Sequence, residues 1–169
     1  MKKRFLVLIY ICSFNLLFAQ NYWQQEVNYN IHVALDDTNH RLTAEEKIEY
    51  INNSPDTLST LFFHVWPNAY SENKTAFAKQ QIRLRKDKFY FAHNDNYVFI
   101  EDMHYFEGKD TLNYSLIEND IVEIKLNSPL LPKAKINLKI HFTVWLPHTF
   151  SRLGHVKQSY QITQWYPKP

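Results

Sequence analysis

The stretch KINLKIHFTVWL, residues 135–146, is the most regular part of the sequence. Apolar residues occupy every second position, in the order Ile136, Leu138, Ile140, Phe142, Val144 and Leu146. The residues between them are mostly polar, namely Lys135, Asn137, Lys139, His141, Thr143 and Trp145. A period of two is that of a β-strand with one face buried and the other in water. The stretch therefore predicts a long strand with one covered face.

The same alternation occurs near the start of the chain. Apolar residues alternate over residues 27–35 and again over residues 42–50, and the sequence DDTN at 36–39 supplies turn chemistry between them. Glu46 is the one polar residue at an apolar position of the second run. These features predict a long antiparallel hairpin.

Residues 58–66 have a different pattern, because both faces are apolar. Leu61, Phe63 and Val65 fall on one face, and the other carries Phe62 and Trp66 on either side of His64. Such a strand is typical of the middle of a sheet or of a sheet covered by another layer. His64 is interpreted as a histidine of the core.

Residues 71–84 predict the one short helix, with Ser71 or Thr75 as its N-cap. A loop with a cluster of cations follows, Arg83, Arg85, Lys86 and Lys88, which is either solvated or part of an interdomain contact. Further strands are predicted over residues 97–106, 112–116 and 122–126, and Pro129 and Pro132 block pairing in the loop at 127–133. About eight strands with hairpin turns predict an all-β fold, an antiparallel β-sandwich or a saddle-like curved sheet.

Residues 1–19 have the composition of a secretory signal peptide. Three basic residues precede a short apolar run, and cleavage after Ala19 leaves residues 20–169 as one domain with no transmembrane segment. The only cysteine, Cys12, lies in this leader, so the mature chain has no disulfide. We expect an exported protein, located in the periplasm, on the cell surface or outside the cell. The net charge of +2 comes from scattered basic residues, which excludes a nucleic-acid footprint.

Sequence motifs for catalysis are absent from the chain. It contains no HExxH zinc motif, nucleophile elbow or phosphate-binding glycine loop. Glu45 and Glu46 are adjacent, so on a strand they point to opposite faces and do not act as a pair. His148 and His155 are not separated by an acidic residue and are interpreted as structural. We expect neither a catalytic residue nor a metal ligand in this chain.

The C-terminal segment TFSRLGHVKQSYQITQWYPKP, residues 149–169, concentrates glutamine, tryptophan and tyrosine. The Gln161 and Gln164 amides both donate and accept hydrogen bonds and suit a peptide backbone or amine, while Trp165 and Tyr166 suit an apolar floor. The segment therefore predicts a substrate-side wall whose other half lies in further sequence. Equally open is a last strand whose face packs into an interdomain contact, with Tyr160, Ile162, Gln164 and Tyr166 on that face.

The order of several segments resembles a known family. The leader, WQQEVNYNIHVALDD at 23–37, INNSPDTLSTLFFHVWPNAY at 51–70, TAFAKQ at 75–80 and the C-terminal segment are similar to the N-terminal β-domain of secreted zinc metallopeptidases of peptidase family M1. These are aminopeptidase N-like gluzincins, here in the form found in Bacteroidetes bacteria. HVWPNAY and QSYQITQWYPKP are the most specific parts of this resemblance.

The resemblance implies a saddle-like β-domain that packs on a thermolysin-like catalytic domain of the same polypeptide. Zinc and the catalytic residues are expected in that domain, and the partners are that domain and a peptide substrate. A family loop with the pattern Thr-Gln-x-Glu/Gln binds the substrate's amino group, and Thr163 to Tyr166 match it best, with Tyr166 at the Glu/Gln position. The pattern expects an amide or carboxylate where Tyr166 stands, and Gln161 is the rival candidate in a shifted register.

Two other interpretations stay open. One is a free-standing secreted β-sandwich module that binds carbohydrate or protein through its tryptophans, Trp23, Trp66, Trp145 and Trp165. The other is the structural domain of a degenerate peptidase that has lost zinc. A domain of a larger enzyme should leave an apolar patch near residues 145–169 that this chain does not cover, whereas a module should present an aromatic platform.

Overall fold

The structure, a computed structural model, describes residues 22–93, 96–148 and 152–169. The leader predicted over residues 1–19 lies outside them, as do residues 149–151 of the C-terminal segment. The described strands, in chain order, are β1 (Glu26–Asp36), β2 (Arg41–Ile51), β3 (Leu58–His64), β4 (Ile100–Glu107), β5 (Asp110–Leu112), β6 (Tyr114–Glu118), β7 (Ile121–Leu130), β8 (Lys135–Trp145), β9 (Leu153–Val156) and β10 (Ser159–Ile162). A 3-10 helix (Trp66–Tyr70) and helix α1 (Ala76–Arg83) lie between β3 and β4.

Strand β8 is the centre of a five-stranded antiparallel sheet with the order β1-β2-β8-β4-β5. It pairs with β2 along its whole length, from Arg41 opposite Trp145 to Ile51 opposite Lys135. The hairpin of β1 and β2 and the alternation of β8 are confirmed residue by residue. Because directly opposite residues share a face, the apolar positions of these strands form continuous rows across the sheet.

A second, three-stranded sheet has the order β3-β7-β6 and supplies the other half of the core. Phe63 of this sheet packs edge-on against Tyr105 of the first sheet, with ring centroids 5.7 Å apart. Both rings are fully buried, as are Val122 and Ile124 of β7. The predicted all-β antiparallel sandwich is confirmed. A separate hairpin of β9 and β10 packs beside it.

The position predicted for β3 is wrong. It is an edge strand, because in the described chain it pairs along its length with β7 alone. Its outward-facing Phe62 is 53% exposed and no second layer covers it among the described residues. Apolar residues on both faces predicted a central strand, but β3 lies at the edge of its sheet and its outward apolar face is exposed. His64, predicted in the core, is exposed and stacks on Trp66.

Two further boundaries differ from the prediction. The strand expected over residues 112–116 is divided at Asn113, since β5 belongs to the first sheet and β6 to the second. The loop expected from residue 127 begins later, because β7 continues to Leu130. Pro129 is accommodated where the pairing with β3 shifts register between Leu58 and Thr60, a bulge that does not need every backbone N–H.

Helix α1 is the one α-helix in the described part of the chain and is shorter than predicted. Thr75 is its N-cap, and its hydroxyl accepts from the Ala78 backbone N–H at 3.2 Å. The same hydroxyl donates to the Ala69 carbonyl at 2.7 Å, which ties the helix to the 3-10 helix before it. No helix among the described residues is both long and apolar enough to cross a membrane.

Candidate functional site

The C-terminal segment packs its aromatic side chains onto the first sheet. The Trp165 ring lies 6.0 Å from that of Phe142 on β8, and Tyr166 meets Tyr29 of β1 edge-on at 5.6 Å. Both residues are half-buried against the core of this chain. The apolar floor expected from Trp165 and Tyr166 is therefore in contact with the chain's own side chains, and both residues stay partly exposed.

The two glutamines singled out in the sequence are exposed. Gln161 lies on β10 opposite Gly154, and Gln164 follows the end of that strand with a φ of 52°. Neither side-chain amide has a hydrogen-bond partner within residues 22–93, 96–148 and 152–169. A left-handed φ is uncommon for glutamine and turns the chain sharply at this point. The structure thus presents two solvent-exposed amides without a hydrogen-bond partner in the described part of the chain.

Backbone contacts hold this segment in place. Lys168 exchanges two backbone hydrogen bonds with His64 at the edge of β3, of 2.7 and 3.0 Å. Thr163 is fixed to the Arg152 carbonyl through both its backbone N–H and its hydroxyl, at 3.1 and 2.8 Å. Pro167 is buried between these two anchors. Residues 163–169 are therefore fixed to the rest of the chain by hydrogen bonds and are not a free tail.

A second set of contacts holds the β9–β10 hairpin against the turn between β1 and β2. The Tyr160 hydroxyl lies 2.7 Å from Nδ1 of His40, and the His40 ring stacks on His155 at 3.6 Å. His155 also stacks on His148 at 4.8 Å. These three imidazoles form a structural stack. In the described part of the chain, no group of three or more His, Cys, Asp or Glu residues is arranged to hold a metal ion.

Glu46 is the residue of this site that sequence reasoning did not assign. It stands between Ile31 and Ile140 on the neighbouring strands and is fully buried, and neither carboxylate oxygen has a hydrogen-bond partner among the residues that the structure describes. Burial raises the pKa of its carboxyl to about 8, although the positive charge of Lys168 opposes the shift. The polar interruption of an apolar run was the available signal. At neutral pH the group is largely a neutral acid.

The surroundings of Glu46 link it to the C-terminal segment. The pKa of the Tyr29 hydroxyl is raised to about 12, mainly by burial and to a smaller extent by the negative charges that Glu46 and Tyr166 carry when ionised. The Lys168 ammonium lies 4.5 Å above the centre of the Tyr166 ring. One acid, two phenols and one ammonium group are thus electrostatically coupled on the inner face of the sheet.

The inner face of the first sheet extends beyond the layer that covers it. Tyr29, Val33 and Leu35 of β1 are named here the β1 apolar strip. Val33 and Leu35 are 49% and 45% exposed, although the residues opposite them on β2 are buried. Tyr29 is also partly exposed. At one end of the strip, Tyr29 contacts Tyr166 of the C-terminal segment.

The four tryptophans do not form a common platform. Trp145 is on the outer face of the first sheet, where the Arg41 guanidinium lies 5.9 Å from its ring centre and its indole N–H donates to Glu101. Trp165 is on the inner side, against Phe142. Trp66 stacks on His64 at 5.2 Å, and Trp23 precedes β1.

No protein-family model matches this chain, and no curated protein matches its sequence. The role of the site is therefore inferred from its geometry.

Proposed function

We propose that this chain is the non-catalytic N-terminal domain of an exported zinc metallopeptidase of the aminopeptidase type. In this proposal residues 152–169 form one wall of the peptide-binding cleft, and the β1 apolar strip packs on the catalytic domain of the same polypeptide. Zinc and its ligands belong to that second domain. The observation that carries the proposal is the exposed apolar strip of β1, together with two exposed glutamine amides that have no hydrogen-bond partner among the described residues.

The strip supports a docking role because its apolar side chains are exposed to solvent in this chain. A strand that alternates apolar and polar residues normally covers its apolar side, but of the apolar residues on β1 only Val27 and Ile31 are partly buried, and Tyr29, Val33 and Leu35 are exposed. Contiguous exposed apolar surface of this kind marks an interaction site. An interface between domains of one chain buries surface of the same character.

The two glutamines support contact with a peptide. A primary amide offers two donors and one acceptor without a net charge, so Gln161 or Gln164 can bond to a peptide backbone or to its terminal amine. In the described structure, neither side-chain amide forms a hydrogen bond with another residue of this chain. Because hydrogen bonds at Lys168 and Thr163 already fix the backbone, residues 152–169 should lose little conformational entropy when a ligand binds.

The test is an activity measurement on the full polypeptide that the gene encodes. We expect it to release N-terminal residues from peptides and to lose that activity to a chelator. Gln164→Ala should raise KM by roughly tenfold for peptides with a free N terminus, because about one hydrogen bond to a charged group is lost. Gln158→Ala, in the turn before β10, is the matched control and should leave KM unchanged.

Two results would contradict the proposal. One is a gene that encodes no further domain after residue 169. The other is a full polypeptide whose peptidase activity is absent or insensitive to chelation. In either case the binding-module interpretation would be next to test, with an array of glycans and the purified chain.

A further inference from the structure

Residues 82–91, named here the basic loop surface, comprise the end of helix α1 and the loop after it, and are held by an aromatic cluster. Phe89 is buried and meets Phe77 of α1 edge-on at 5.1 Å and Tyr97 at 5.5 Å. Backbone hydrogen bonds fix the loop as well, from Lys86 N–H to the Gln81 carbonyl at 2.9 Å. The exposed side chains of the loop thus project from a backbone that is held in place by aromatic packing and hydrogen bonds.

The loop carries four cations and one acid. Arg83, Arg85, Lys86 and Lys88 are all exposed, and none forms an ion pair with a residue of the described chain. Asp87 is the only acidic residue of residues 82–91. Four cations beside a single carboxylate give residues 82–91 a net positive charge, which favours an anionic partner.

Large apolar side chains are exposed in the same loop. Leu84 and Phe91 are 57% and 76% exposed, and Ile82 and Tyr90 are also exposed. A cleft of about 390 Å³ lies between the end of α1 and this loop, lined by Phe77, Gln81 and residues 85–89. The cleft therefore places an apolar wall beside the Arg85, Lys86 and Lys88 cations and the Asp87 carboxylate.

We propose that the basic loop surface docks this chain on an anionic lipid membrane, with Leu84 and Phe91 entering the boundary of the acyl chains and the cations meeting headgroup phosphates. The combination of exposed aromatic and aliphatic side chains with Lys and Arg is that of interfacial membrane anchors. Ile82 and Leu84 favour lipid over nucleic acid, because aliphatic side chains do not stack on bases. This inference is independent of the peptidase proposal.

The test is sedimentation of the full chain with lipid vesicles. We expect binding to vesicles that contain phosphatidylglycerol, much weaker binding to pure phosphatidylcholine, and a decrease with added salt. Each cation removed should weaken binding to the anionic vesicles by roughly fivefold. R85Q/K86Q should thus lose roughly twenty-five-fold, and L84S/F91S at least tenfold.

The matched control is K109Q/K125Q, which removes the same charge from two exposed lysines outside the loop and should bind like the parent chain. Because residues 5–18 are an apolar run of their own, the loop is tested by the differences among these variants and not by the binding of the parent chain alone. In addition, Phe91→Trp should gain fluorescence that brominated lipid quenches.

Three outcomes would overturn the inference. They are no binding to either vesicle, equal loss in K109Q/K125Q and R85Q/K86Q, or an F91W signal that brominated lipid does not quench. Binding to heparin or single-stranded DNA that survives L84S/F91S, without vesicle binding, would assign the surface to a soluble polyanion instead.

Discussion

Strands β1 and β8 alternate apolar and polar residues equally well in the sequence, yet the structure treats them differently. Ile140 and Val144 of β8 are fully buried, whereas Val33 and Leu35 of β1 are about half exposed. The two strands lie on either side of β2 in one sheet. Alternation therefore determines on which face of the sheet a side chain lies. Whether that face is buried depends on a second layer, which comes from elsewhere in the chain or from another domain.

The largest effect should come from the covered strand. Phe142→Ala removes a buried ring that contacts Trp165 and should lower the free energy of unfolding by about 3–5 kcal/mol. Urea denaturation of the chain measures this. A loss below about 1 kcal/mol would mean that the β8 face is no better packed than the β1 face, and the comparison would fail.

An intermediate effect should come from Glu46, which lies on β2 between the two strands. Its folded pKa of about 8 exceeds the unfolded value of 4.5, so the folded chain binds an extra proton between these values. Stability should therefore fall as pH rises from about 4.5 to 8 and then level off, and Glu46→Gln should remove the part of that fall due to this carboxyl, roughly 3 kcal/mol by pH 7. Thermal unfolding of both proteins across this pH range is the measurement.

Glu45 is the matched control for this prediction, because it is the next residue on the opposite face. Lys47 hydrogen-bonds its carboxylate, and with Lys47, His141 and Lys139 nearby the pKa of Glu45 is lowered. Its contribution is present above the unfolded pKa and is lost as pH falls, so Glu45→Gln should change the pH profile slightly and in the opposite sense. Identical profiles for the two variants would show that burial of Glu46 is not the cause.

The smallest effect on the isolated chain should come from the β1 apolar strip. Val33→Ser should change the free energy of unfolding by less than about 1 kcal/mol, because the side chain is already half in water. In the full polypeptide the same change should destabilise the contact with the catalytic domain by more than that. Denaturation of both forms measures the difference, and equal small effects in both would show that β1 is not the docking surface.

Much of the sheet could be predicted from local pattern. The faces of β1, β2 and β8 follow from a period of two, and Thr75 follows from its chemistry as an N-cap. The edge position of β3 and the division of a strand at Asn113 could not be predicted in this way. Both depend on which strands pair over long sequence distances, which local periodicity does not encode.

The candidate site was predictable in composition but not in arrangement. Gln161, Gln164, Trp165 and Tyr166 stand out in the sequence by type, but only the fold shows that the amides face solvent and the rings face Phe142 and Tyr29. The contacts of these residues span more than half of the chain. Glu46 was visible as an interruption, and its burial depends on neighbours from β1, β8 and the C-terminal segment.

The central position of β8 has a consequence for the order of events during synthesis. The β1–β2 hairpin leaves the ribosome early, but the strand that completes its sheet is made near the end of the described chain. Until residues 135–145 emerge, β2 has a neighbour on one side only, and its inner face lies open to chaperones or to another nascent chain. Such non-local pairing favours slow folding, so β8 acts late as the strand that closes the sheet.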